Sequence, residues 1–208
     1  MIPIRDYNPT RRPSLLTWGL ILINFAVYFY LAQNPVMDEN AIARYAVVPA
    51  DISAGRHLGT LITSLFLHAN LLHVAGNMLF LWIFGDNVED FFGHVGYFFF
   101  YLVCGIGAGL LHVVFNFHSN IPAVGASGAI SGVMGAYMLL YPRARILTLV
   151  FIFPLPVPAV VFLGLWYVMQ FLAGLSTIGV KVTGGVAVWA HVGGFLLGML
   201  LTTMVRRR

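Results

Sequence analysis

Six stretches of this chain, residues 15–32, 62–84, 91–115, 122–141, 146–172 and 185–205, contain no Asp, Glu, Lys or Arg. Each is close to the roughly 20 mostly apolar residues that a helix needs to cross the hydrocarbon layer of a bilayer. That feature leaves few folds open. Inside lipid every backbone N–H and C=O must be bonded within the protein, so a span is a helix or a strand of a closed barrel. The runs are continuously apolar rather than alternating, which favours helices. The expected fold is all-α, a polytopic membrane protein built as a six-transmembrane-helix bundle. Its expected divisions are an N-terminal segment at 1–14, a six-helix domain at 15–205 and a basic tail at 206–208.

Composition closes off the alternatives. Charged residues make up 9% of the chain and hydrophobic residues 60%, whereas a soluble domain has about 25% charged residues. This chain cannot clothe a soluble globule of its size. The formal net charge of +4 comes from arginines at the ends and in loops. No basic face able to follow phosphates results, so nucleic acid is not an expected partner. The single cysteine, Cys104, rules out an intrachain disulfide and a Cys-rich metal site. His68 and His73 stand i, i+5 on different faces without a nearby carboxylate, so no metal is expected, nor any cofactor.

Ala32-Gln33-Asn34-Pro35 is a poor cleavage site, so the first run reads as a retained span rather than a signal peptide. The stretch at 33–61 is too long for a simple turn and is expected to pack as a small element of its own. With the N-terminus inside, Arg5, Arg11, Arg12, Arg143, Arg145, Arg206, Arg207 and Arg208 lie on the cytoplasmic side, and Arg44, Arg56 and Lys181 outside. Eight against three predicts both termini in the cytoplasm. The expected location is a bacterial inner (plasma) membrane.

In that orientation the second, fourth and sixth runs all pass from outside to inside, and each carries polar residues near its start. Polar groups at membrane depth are costly and mark function by default. The second run holds His73 and Asn77, which share a face at i, i+4. The fourth holds Ser127 within Gly125-Ala126-Ser127-Gly128, and the sixth holds His191. Ser127 and His191 fall at matching depths, roughly 8–10 Å below the outer ends of their runs. Gly128 and Gly132 form a small-xxx-small ridge, and Gly194 and Gly198 form another on the face of His191. Such ridges let helix backbones approach closely. A hydroxyl and an imidazole brought together there make a nucleophile and its base. His191 takes the proton of Ser127 Oγ and returns it to the leaving amine. No run holds a carboxylate to orient the histidine, so the pair is a dyad. His73, Asn77 and backbone N–H groups near Ser127 are candidates to hold the oxyanion. A proton-relay transporter using His73, His112 and His191 is the competing reading; it lacks an intramembrane carboxylate and an inverted repeat. Pro154, Pro156 and Pro158 in the fifth run predict a kinked or late-starting helix. A mobile gate for substrate is the functional alternative for that run.

The pattern resembles the rhomboid family of intramembrane serine proteases. The matching residues are His73-x-x-x-Asn77, Gly125-Ala126-Ser127-Gly128-Ala129-Ile130-Ser131-Gly132, and Ala190-His191-Val192-Gly193-Gly194 with Gly198. Smaller matches are His68-Ala69-Asn70 before the second run and Glu89 after it. The resemblance implies Ser127 as nucleophile and His191 as general base. It implies His73, Asn77 and the backbone of Ser127 and Ala126 as oxyanion stabilisers, with Gly125 and Gly128 as the glycines of the site. Implied substrates are membrane-spanning helices of other proteins. Many members carry an aromatic residue four after the serine, packed on the catalytic histidine; here that residue is Ser131.

Overall fold

The computed structural model describes residues 1–178 and 186–206. Lys181, Gly185, Arg207 and Arg208, which entered the readings above, lie outside the described residues. The chain begins with strand β1 (Ile2–Asp6) and helix α1 (Leu15–Ala32). The connection at 33–61 folds into short helices. Asn34 caps α2 (Pro35–Tyr45) by accepting from Val36 N, with proline at the first turn, the position where its missing N–H costs nothing. Next come α3 (Pro49–Ser53) and α4 (Thr60–Thr63).

Helix α5 (Leu71–Phe115) starts at an Asn70 cap that accepts from His73 N. Its 45 residues would measure about 68 Å as one rod, over twice the roughly 30 Å of hydrocarbon. Gly93, at φ 68° and ψ 162°, breaks it, in a region of backbone space that glycine enters without penalty. The chain doubles back there. Phe92 and Phe100 stack with ring centroids 4.5 Å apart, where eight residues of straight helix would separate them by about 12 Å. The apolar runs leave a connection at residues 85–90, which holds Asp86, Asn87, Glu89 and Asp90. Helix instead continues through it, because Glu89 has partners inside the protein. The Glu89 carboxylate is 1% exposed. It accepts from Leu16 N (2.9 Å), Thr17 N (2.7 Å) and Thr17 Oγ1 (2.7 Å). It also meets His94 Nδ1 at 2.5 Å. Those backbone N–H groups belong to the first turn of α1, where they have no partner within the helix. Ser14, the N-cap residue, makes no side-chain cap bond, so Glu89 serves as the cap and meets the positive end of the α1 dipole.

Helix α6 spans Ser127–Leu140, later than the expected start at 122. The fifth run corrects the all-α expectation. Residues 146–158 are not helix but two strands, β2 (Arg145–Val150) and β3 (Phe153–Pro158), followed by α7 (Ala159–Leu175). With β1 they form an antiparallel sheet in the order β1-β2-β3. Of the two outcomes expected from the prolines, the late start is the one found: α7 begins at Ala159, directly after Pro158. Pro154, Pro156 and Pro158 pair with Leu149, Leu147 and Arg145. Standing at every second position of an edge strand, they turn their missing donors to the unpaired side, where proline is tolerated. Residues 2–6 of the N-terminal segment are thus knitted to the connection between α6 and α7.

The chain ends in α8 (Val188–Arg206). Among the described residues, α1, α5 and α8 are long and apolar enough to cross a membrane, and α6 and α7 are shorter apolar helices. The core lies where α5, α6 and α8 meet; Phe84, Tyr97, Tyr101, Tyr137 and Phe195 are almost wholly buried. Glycine sets the α6–α8 distance. A Cβ on Gly194 would collide with the Gly128 carbonyl oxygen, and one on Gly198 with that of Gly132. Arg206 Nη1 donates to Leu139 O (3.2 Å), so the C-terminal ends of α6 and α8 lie together and the helices run parallel.

Candidate active site

Ser127 is the first residue of α6, with the fully buried Ala126 as its N-cap. The first N–H groups of a helix have no internal partner and carry its positive dipole end. Within this turn Ile130 N is the first to find a helical carbonyl, that of Ala126 (3.0 Å). The approach to Ser127 is held from outside the helix. Gly125 N donates to Ser64 O (2.9 Å), and Gly125 adopts φ 123°, which a side chain would strain.

His73 and Asn77 stand against this approach. A Cβ on Gly125 would lie 2.8 Å from His73 Nε2 and 3.5 Å from Asn77 Nδ2. Asn77 Nδ2 is 2.9 Å from His68 Nε2. The His68 and His73 rings meet edge to face at 5.1 Å. His68 precedes the helix and is 4% exposed. Burial, and then the neighbouring His73, push its pKa down to about 4. It is therefore neutral at physiological pH, so its Nε2 can accept the Asn77 N–H.

His191 lies in the first turn of α8, buried at 8% exposure. Its Nδ1 is 2.8 Å from Gln170 Oε1, and its ring lies 5.8 Å from Trp166. Both partners come from α7. Sequence reasoning passed over them, although an amide amid the apolar residues of the fifth run was a signal of the kind that singled out Ser127. Ser131, in the place where an aromatic is common, donates to Ser127 O (2.6 Å) and so stays within its own helix.

Ser127, Gly125, Gly128, His112 and Ala190 line one small pocket. Gly128 faces Ala190, whose Cβ would be 3.8 Å from a Cβ on the glycine. The immediate neighbours of Ser127 and His191 thus touch across the α6–α8 contact. No hydrogen bond joins Ser127 Oγ to His191 among the described residues. Catalytic hydrogen bonds are often long before substrate binds and tighten when it does.

A family model described as Rhomboid domain matches residues 55–208. The chain belongs to the rhomboid family. Mitochondrial Rhomboid protein 1 of Saccharomyces cerevisiae is 31% identical over 209 residues, covering 96% of this chain and 55% of that protein. Rhomboid protease AarA of Providencia stuartii is 28% identical over 204 residues, covering 90% of this chain and 71% of that protein. RHOMBOID-like protein 1 of Arabidopsis thaliana is 30% identical over 183 residues, covering 82% of this chain and 41% of that protein. The chain spans about half the length of most of these relatives. Family and composition together make it a membrane protein. The relatives come from yeast, plants and bacteria, and they do not support the bacterial inner membrane expected from the sequence.

Proposed function

We propose that this rhomboid is an intramembrane serine endopeptidase that cuts transmembrane helices of other proteins near the outer face, using Ser127 and His191. The observation that carries the reading is the glycine seam between α6 and α8. It brings the residue after the serine against the residue before the histidine.

Ser127 Oγ attacks a substrate carbonyl carbon while His191 takes the hydroxyl proton. The carbonyl electrons move onto oxygen. Asn77 Nδ2, His73 and the free N–H groups at the start of α6 surround the space beside Gly125 where that oxyanion forms. Collapse breaks the C–N bond as His191 protonates the leaving amine. Water, activated by the same imidazole, then releases the acyl group and restores the serine. Each oxyanion donor lost costs about 3–4 kcal/mol in the transition state. A helical substrate hides its carbonyls in its own hydrogen bonds, so sites rich in Gly or other weak helix formers are preferred.

The two halves of α5, divided at Gly93, make up six spans with α1, α6, α7 and α8, within a domain at 15–205. Both termini are cytoplasmic in this reading. The pairing of β1 with β2 supports it, since it requires the N-terminus and the α6–α7 connection on one side. The partners are transmembrane substrates and the bilayer; the chemistry calls for no metal or cofactor. The histidine-relay transporter has less support, because no hydrogen-bonded chain links His73, His112 and His191 among the described residues.

The test is cleavage of a labelled transmembrane peptide by the full chain in proteoliposomes. Ser127→Ala and His191→Ala are expected to abolish it, and a fluorophosphonate probe is expected to label Ser127 only when His191 is intact. Cleavage by Ser127→Ala at the wild-type rate overturns the proposal.

A further inference from the structure

We infer that Gln170 on α7 is the positioning residue that fixes the tautomer and orientation of His191; the inference rests on the protease reading above. A general-base imidazole must carry its proton on one nitrogen and a free lone pair on the other. In serine hydrolases a buried carboxylate usually enforces this by accepting the Nδ1 proton. No carboxylate lies in the apolar runs, and the aromatic support common four residues after the serine is replaced by Ser131, whose hydroxyl is committed to Ser127 O. An orienting partner has to come from elsewhere.

The structure supplies one from a third helix. Gln170 Oε1 stands 2.8 Å from His191 Nδ1. A carbonyl oxygen only accepts, so this contact requires Nδ1 to hold the proton. The other ring nitrogen, Nε2, is then the lone pair available for the Ser127 hydroxyl. The reverse tautomer would present an N–H there and could not act as base. Trp166, one turn before Gln170 on the same face of α7, lies with its ring 5.8 Å from that of His191 at 37° and limits rotation of the imidazole. Hydrogen bond and aromatic contact thus both come from α7. A neutral amide orients without adding a charge, which suits a site where an unpaired carboxylate would be costly to bury.

The test has two arms on the full chain in proteoliposomes. The first measures kinetics with a labelled transmembrane peptide. Gln170→Leu removes the acceptor and is expected to lower kcat by about 10–100-fold, the range seen when the hydrogen-bond partner of a metal-bound histidine is removed, with KM little changed. Gln170→Glu restores an acceptor of the same length and is expected to recover most of kcat; a merely structural role for Gln170 predicts no such rescue. The second arm records 15N spectra of histidine-labelled wild-type protein, with His191→Ala used for assignment, and expects Nδ1 protonated and Nε2 unprotonated at neutral pH. This arm stands even if Gln170→Leu fails to fold. A folded Gln170→Leu with wild-type kcat while Ser127→Ala is inactive overturns the inference alone, and so does a His191 proton on Nε2 in protein whose cleavage is still abolished by Ser127→Ala and His191→Ala. Wild-type cleavage by Ser127→Ala removes the protease reading and the inference with it.

Discussion

Replacing Gly194 by alanine tests the seam on which the proposed chemistry depends. The added Cβ would overlap the Gly128 carbonyl oxygen and come within 3.3 Å of Ser131 Cβ. Neither obstacle is the free end of a flexible side chain; one is backbone and the other is attached directly to it. The helices must part by more than about 1 Å before carbon and oxygen reach ordinary van der Waals separation. Overpacking of this kind costs about 1–3 kcal/mol of stability. The effect on catalysis is expected to be larger than the effect on folding. His191 lies one turn before Gly194, and Ser127 adjoins the carbonyl being pushed, so the displacement falls directly on the distance between the proposed base and nucleophile. A misplacement of 1 Å can cost about 100-fold in rate. Gly194→Ala is therefore expected to retain its fold, with a lowered unfolding temperature in detergent, and to cleave a labelled transmembrane peptide about 100-fold more slowly. Gly164→Ala is the control, since a Cβ there meets nothing within 4 Å. Wild-type cleavage by Gly194→Ala, with wild-type stability, would refute the argument that this contact sets the site.

Other expectations follow from individual contacts. Glu89→Ala leaves two first-turn N–H groups of α1 and the Thr17 hydroxyl without their partner, at about 1–3 kcal/mol for each buried group; thermal unfolding should show a large loss, and an unfolding temperature equal to wild type would remove the capping role. His68 has a pKa of about 4 when folded, below its ordinary 6.5, so the unfolded chain binds more protons between those values. Its contribution to stability is complete above pH 6.5 and is lost as the pH falls toward 4; His68→Asn should flatten that part of the stability–pH curve, and an unchanged slope would contradict the assignment. Leu147→Pro, in the central strand of the sheet, removes a donor where β2 is paired on both sides and should destabilise clearly. Pro156→Ala on the edge strand should shift stability by no more than about 0.5 kcal/mol, and equal effects of the two would argue against the strand assignment.

Much of this arrangement was legible in the residues. Ser127, His191, His73 and Asn77 drew attention because polar groups in apolar runs need a reason. The Gly128/Gly132 and Gly194/Gly198 spacings announced the helix pair that the structure packs backbone to backbone. Legibility failed where the outcome depended on partners remote in sequence. Residues 146–158 are apolar enough for lipid, yet they form strands because Ile2–Asp6 offers an edge to pair with. Residues 85–90 separate two apolar runs, yet helix continues through them because α1 brings unsatisfied N–H groups to Glu89.

The sequence by itself determined the class of protein and the membrane as its solvent, since the number of charges available to face water is a property of composition. It also determined which helices approach closely, since the absence of a Cβ is local. Only the tertiary structure decided where the helix beginning at Leu71 doubles back, what caps α1 and which side chain holds His191. Each of these is a hydrogen bond or contact between segments far apart along the chain, and its free energy exists only once the fold has brought both halves to the same place.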